Sequence, residues 1–218
     1  GIEAGIPKST PAMTLNRLCG SGVQAIISAA QSIMLGDVEV AVAGGAEVMS
    51  RAPHYLNSGR FGQRLGDTTL ADGLTGVLTD PFGSGIMGIT AENVAEKWGI
   101  SRAEQDAFAA ESQRRAAASL ADGRFADQIL PVEVQKGRAT VAFAVDEYPK
   151  PETTAESLAK LPTVFKKGGT VTAGNASGIN DGAGAVVLTS ERRAAAAGLT
   201  PLARIVGYAH AGVEPGVM

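Results

Sequence analysis

Residues 20–43 carry the pattern that most restricts how this chain can fold: an apolar stripe at helical spacing that passes, just beyond a glycine stop, into an apolar run of strand length. The stripe is Val23, Ile26, Ile27, Ala30, Ile33 and Met34, and it predicts an amphipathic helix over residues 20–35 closed by Gly36. Residues 38–43 then read as a buried strand running into a turn at Gly44 and Gly45. Helix, strand end and glycine turn in that order are the grammar of an α/β layer.

Beyond Ser50 the periodicity dissolves. Pro53, Gly59, Gly62, Gly66, Gly73, Gly76, Pro81 and Gly83 punctuate residues 50–85, which predicts loops. Residues 90–98 and 101–120 read as two surface helices, each with one packed face; Ser101 and Glu104 form the capping box of the second. Strands are expected over 129–135 and 140–145, and a short helix over 153–161, stopped by Pro162. Residues 168–184 hold six glycines, two asparagines and an aspartate, so they are expected to form a pocket wall lined by backbone rather than side chains. An apolar strand over 185–188, a helix over 190–197 capped by Gly198, and a last strand over 203–209 complete the pattern, with no repeat at a fixed period.

Composition narrows the function classes. With 44% apolar and 19% charged residues, a chain of 218 can bury a real core. The net charge of −3, with basic residues scattered, gives no footprint for nucleic acid. No uninterrupted apolar run approaches the roughly 20 residues of a spanning helix, and the first residues lack the basic and apolar regions of a signal peptide. A cytoplasmic protein without a membrane partner is therefore expected. The single cysteine, Cys19, excludes an intrachain disulfide and any multi-cysteine metal site, and no metal ligands are assigned.

Cys19 lies in Asn-Arg-Leu-Cys-Gly-Ser-Gly, residues 16–22, at the mouth of the first predicted helix. Unpaired amides and the helix dipole favour an anion there, so the position suits a thiolate, and the same amides could hold the oxyanion of a tetrahedral intermediate. The residues alone leave a second reading open, because free cysteines are also common as buried filler.

A wider resemblance decides between them. Leu-Cys-Gly-Ser-Gly at 18–22, followed by a helix and Val-Ala-Gly-Gly-Ala-Glu-Val-Met-Ser at 42–50, resembles the segment around the nucleophilic cysteine of thiolases. Residues 87–95, 101–108 and 169–183 resemble later stretches of that family, in the same order. The flavour is that of bacterial acetyl-CoA acetyltransferases and 3-ketoacyl-CoA thiolases, and the resemblance covers nearly the whole chain.

The resemblance implies a thiolase-like layered α/β core with an inserted loop domain: residues 1–50 and 182–200 as the discontinuous first half, 51–181 as the insertion, and 201–218 opening a second half. It implies a transferase of fatty acid metabolism. Cys19 takes an acyl group from one CoA thioester and passes it to the α-carbon of acetyl-CoA; the reverse reaction is thiolysis of a 3-ketoacyl-CoA. CoA thioesters are then substrates and no separate cofactor is implied. Ser177 matches the serine that contacts the pantetheine arm, with Ala173 and Phe165 lining the same groove and Leu78 and Met87 beside its acyl end. A homodimer or homotetramer is implied, and a non-catalytic acyl-CoA- or lipid-binding relative is the alternative.

Two departures from the family pattern qualify this expectation. Ile86 stands where biosynthetic members commonly have histidine, which favours a broader 3-ketoacyl range. The family's catalytic histidine and second cysteine match nothing here, since neither His54 nor His210 has the right context. These 218 residues alone are accordingly expected to be inactive in condensation, because no base is identified for the second acetyl-CoA.

Overall fold

In the computed structural model, which describes residues 1–218, the first predicted helix forms as α1, Ser21–Leu35. It is followed by strand β1 (Val40–Glu47), the two-residue strands β2 (His54–Tyr55) and β3 (Ala71–Asp72), the short helix α2 (Gly73–Val77), and the tight hairpin of β4 (Thr79–Asp80) and β5 (Gly85–Ile86). Then come helices α3 (Met87–Trp98) and α4 (Arg102–Ala121), the hairpin β6 (Val132–Lys136) and β7 (Ala139–Phe143), helix α5 (Ala155–Ala159), strand β8 (Gly182–Thr189) and helix α6 (Glu191–Ala196). The mixture is the α/β class expected. Two compact units divide the chain: residues 1–77 with 179–212, and residues 78–178 with 213–218.

The first unit is organised by the antiparallel ladder of β1 and β8, from Val40 opposite Thr189 to Glu47 opposite Gly182. Helix α1 packs on both strands, and Ile27, Ala43 and Leu188 are buried. The other face of the ladder is left to solvent: Val42 and Val187, directly opposite each other, are 56% and 70% exposed. Gly36 ends α1 in the left-handed conformation (φ 82°), donating to Ile33 O, while the Asp37 N–H reaches Ser32 O; this is the glycine stop read from the sequence.

Gly44 and Gly45 correct one expectation. They do not turn the chain; they continue β1, because the partner strand runs close. A Cβ on Gly44 would collide with the Gly184 carbonyl oxygen and lie 2.9 Å from Ala185 Cα, so only glycine lets the two backbones approach. Just past the ladder, the Ser50 N–H (2.9 Å) and hydroxyl (2.5 Å) both donate to the Asp181 carboxylate. These bonds hold the Asp181 carboxyl below its ordinary pKa.

One further expectation fails. Residues 203–209 form no strand, because nothing lies alongside to complete a ladder: Val206 is exposed, and Tyr208 is held instead by the Gln31 side-chain amide, which donates to its hydroxyl (2.9 Å). The stretch Leu18–Leu35 does reach the length and apolarity of a membrane-crossing helix, with mean hydropathy 1.4. Serines and glutamines interrupt its apolar run, as read from the sequence, and its helical part is α1, packed on β1 and β8.

In the second unit, α4 is capped as its sequence demands. The Glu104 N–H donates to the Ser101 hydroxyl (3.2 Å) and the Ser101 N–H to the Glu104 carboxylate (2.7 Å). Thr154 and Ser157 build the same box on α5. The interior of this unit is unexpectedly polar: Asp80, Thr90, Glu92, Asp106 and Thr172 are buried beside Ala95, Leu158 and Val171. On α4 the buried position is polar, with Asp106 buried and Phe108 79% exposed.

Replacing Gly44 by alanine is expected to lower the stability of the first unit by about 1–3 kcal/mol through forced separation of the strands. Replacing Gly182, where an added methyl meets nothing, should stay within about 0.5 kcal/mol. Denaturant midpoints of the two variants check this; equal midpoints would show that the close approach is not required.

Candidate active site

Cys19 is presented by a turn that the sequence builds from its neighbours. The Asn16 side-chain oxygen accepts from the Leu18 N–H (2.8 Å), and Leu18 takes φ 47°, the only non-glycine residue with positive φ. Such a conformation costs of order 1 kcal/mol or more for a residue with a Cβ, and it persists because the surroundings over-determine it. Ser21 supplies most of that constraint: its hydroxyl donates to Leu18 O (2.7 Å) and accepts from the Arg17 N–H (2.8 Å), while its own N–H also donates to Leu18 O (3.0 Å). The Arg17 guanidinium is tied forward to the Gln24 side-chain oxygen (2.8 Å).

At the crest of this turn the Cys19 thiol is exposed, so it is not packing filler. Behind it α1 begins without a side-chain cap, and the N–H groups of Gly22 and Val23 find no acceptor. A Cβ on Gly45 would sit 3.4 Å from Gly22 Cα, so the glycine end of β1 lies against the start of α1 with no side chain between them. The arrangement offers a nucleophile on a fixed turn, open to a bulky electrophile, beside backbone donors of the kind that stabilise a developing oxyanion.

The other sequence-derived positions belong to the second unit. The Met87 N–H donates to Leu78 O (2.8 Å) across the β4–β5 hairpin, so these two half-buried residues are neighbours. Phe165 joins them: its ring lies where a Cβ on Gly88 would be, next to Met87. Phe165 sits on a small hairpin closed by the Val164 N–H to Val171 O bond (3.2 Å) and the Thr163–Thr172 bridge, and Ala173 follows directly after it. Ala173 and Ser177 are both exposed, and the Ser177 hydroxyl makes no hydrogen bond. His54, in β2, and His210, beside the Tyr208 ring, are exposed residues of the first unit.

Sequence reasoning missed Glu92 altogether. It is 3% exposed on α3 and accepts from the Thr170 N–H (2.8 Å), the Thr170 hydroxyl (3.0 Å) and the Val171 N–H (2.8 Å). Burial pushes its carboxyl pKa up, but the bonds from Val171 and Thr170, with Lys166 nearby, outweigh that and hold it below its ordinary value. The signal available in the sequence was a glycine pair facing it: a Cβ on Gly169 would collide with the Glu92 carboxylate.

A carboxylate whose folded pKa is depressed stabilises the fold above its unfolded pKa and ceases to do so as pH falls through the folded value. The second unit is therefore expected to lose stability as pH drops below the ordinary value of 4.5 towards the depressed one. Thermal midpoints measured through that range should fall for the native chain and stay flatter, from a lower starting point, for Glu92→Gln.

Comparison with known proteins adds an independent line. The family model of the thiolase N-terminal domain matches residues 1–192. The beta-ketothiolase BktB of Cupriavidus necator is 54% identical over 219 residues, covering 100% of this chain and 55% of that protein. The crystal structure of the Bacillus anthracis acetyl-CoA acetyltransferase superposes with a TM-score of 0.91 at 48% identity, covering 99% of this chain and 55% of the other. Human mitochondrial 3-ketoacyl-CoA thiolase in complex with CoA gives a TM-score of 0.90 at 49% identity, with coverage of 99% and 54%. The chain thus spans about half the length of the relatives it matches.

Proposed function

This chain belongs to the thiolase family, and from that premise we propose that it carries the nucleophile and part of the CoA-binding surface of an enzyme that transfers acyl groups between CoA thioesters. The observation that carries the reading is Cys19: an exposed thiol, fixed by the Leu18 turn at the start of α1, in the sequence context the family uses for its nucleophile.

The chemistry follows from that placement. The Cys19 sulfur attacks the thioester carbonyl carbon, and the tetrahedral oxyanion collapses with loss of the CoA thiolate, leaving an acyl group on Cys19. Exchange of one thioester for another is close to isoenergetic, which suits a thiol as the carrier. The α-carbon of acetyl-CoA, once deprotonated, attacks the acyl carbon and releases the Cys19 thiolate, giving a 3-ketoacyl-CoA. In reverse, Cys19 cleaves a 3-ketoacyl-CoA and free CoA accepts the acyl group. Ser177 and Ala173 are the contacts assigned to the pantetheine arm. Phe165, Met87 and Leu78, neighbours in the second unit, are assigned to the apolar part of the groove.

CoA thioesters are the substrates in this reading, with no further cofactor, and self-association as a homodimer or homotetramer follows the family pattern. Ile86 in place of a histidine supports 3-ketoacyl chains longer than acetoacetyl, and the matched relatives include both acetyl-CoA acetyltransferases and 3-ketoacyl-CoA thiolases. The bound CoA in the human relative supports the class of ligand.

Intact-mass measurement of the full natural chain after mixing with acetyl-CoA should show one added acetyl group, lost in Cys19→Ala. Binding of the thioester without any adduct would instead mark a non-catalytic acyl-CoA-binding relative.

A further inference from the structure

The groove residues Ala173 and Ser177 flank Asn175, whose side chain uses both of its N–H donors and its carbonyl oxygen. Its Oδ1 accepts from the Thr172 N–H (2.7 Å), and its Nδ2 donates to Thr170 O (3.1 Å) and to Asp106 Oδ1 (2.9 Å). Thr172, fully buried, returns the contact: its hydroxyl oxygen accepts from the N–H groups of Gly174 (3.2 Å) and Asn175 (3.3 Å). Asp106, 3% exposed, also accepts from Arg102 Nε (2.7 Å), and Arg102 Nη2 donates to the carbonyls of Leu158 (2.6 Å) and Leu161 (3.1 Å). Gln105, one residue along α4, donates to the Thr170 hydroxyl (3.0 Å), and Glu92 holds the loop from α3. No buried side-chain polar atom is left without a partner.

We propose that Asp106, acting through Asn175, is a positioning residue that holds the 170–177 loop in its CoA-binding shape; this rests on the functional reading above. A carboxylate–guanidinium pair with a buried carboxylate is weak evidence for stability, since apolar residues of similar volume often do as well; its part here is to fix the groups it bonds. Those groups are the Asn175 side-chain amide, which in turn bonds the main chain at Thr170 and Thr172, and the carbonyls of Leu158 and Leu161. Gly174 adds the packing constraint: a Cβ there would lie 2.5 Å from the side-chain methyls of both Leu158 and Leu161, so the loop lies flat on the segment that Arg102 also fixes. The polar side chains of Thr170, Thr172 and Asn175 are spent on the network, while the Ser177 hydroxyl is left for a ligand. Ordering the loop in advance removes an entropy cost that CoA would otherwise meet on binding.

Asn175 also begins an Asn-Ala-Ser glycosylation sequon, but its side-chain nitrogen is already committed to Asp106 and Thr170, which leaves it no role as an acceptor in the folded protein.

The test uses the full natural chain, CoA as the probe in titration calorimetry, and the rate of Cys19 alkylation by iodoacetamide. Asp106→Asn is expected to weaken CoA binding about tenfold, because preorganisation is lost, and to leave Cys19 alkylation within about twofold. Asp106→Glu, which keeps a carboxylate acceptor for both Asn175 and Arg102, should retain more of the affinity than Asp106→Asn. Should Asp106→Asn fail to fold, Asn175→Gln, on the loop itself, carries the same expectation. Unchanged CoA affinity in the variant that folds overturns the positioning role while leaving the functional reading intact. Absence of CoA binding by the unsubstituted chain overturns that reading, and the positioning role with it.

Discussion

The ladder between β1 and β8 is the constraint from which the rest of the first unit follows. It joins two segments far apart in sequence, so forming it means paying the closure entropy of a long loop before any hydrogen bond is gained. The return comes from the backbones' close approach at Gly44 and Gly184, from Ile27, Ala43 and Leu188 beneath α1, and from the Ser50–Asp181 bonds that fasten the ladder at its end. The start of α1 is seated against Gly45, and the turn bearing Cys19 leads straight into α1, so the position of Cys19 is supported by a strand that places no side chain against it.

The two units solve the same problem by different means. Around Cys19 a strained backbone is held by short local bonds from Asn16 and Ser21, all within one turn of the chain. Around Ala173 and Ser177 a backbone without left-handed residues is held by long-range bonds to charged side chains on α3 and α4. In both, polar side chains behind the site are consumed in fixing main chain, and the atoms left unengaged face outwards.

Much of this was legible in the sequence wherever a local signal was self-sufficient. Gly36 ending α1, the Ser101–Glu104 box opening α4 and the Cys19 motif were read correctly in position because each depends on residues a few places apart. What could not be read depended on a distant partner. Gly44 and Gly45 look like a turn until Gly184 is placed opposite them, and residues 203–209 look like a strand until the missing neighbour is noticed. One packed face was expected on α4, but which residues form it was not legible, because Asp106 is buried against the Asn175 amide far along the chain. Leu18's left-handed backbone carried only a faint signal, an asparagine two residues upstream able to accept its N–H.

The polar interior of the second unit also sets how that unit responds to temperature. Exposing apolar surface on unfolding raises heat capacity whereas exposing polar surface lowers it, so a core built around Glu92, Asp106 and Thr172 releases less heat-capacity increment than an aliphatic core of equal volume. A shallower stability curve follows for that unit, one that cooling weakens less, because hydrogen bonds to Glu92 and Asp106 carry much of what holds residues 170–175.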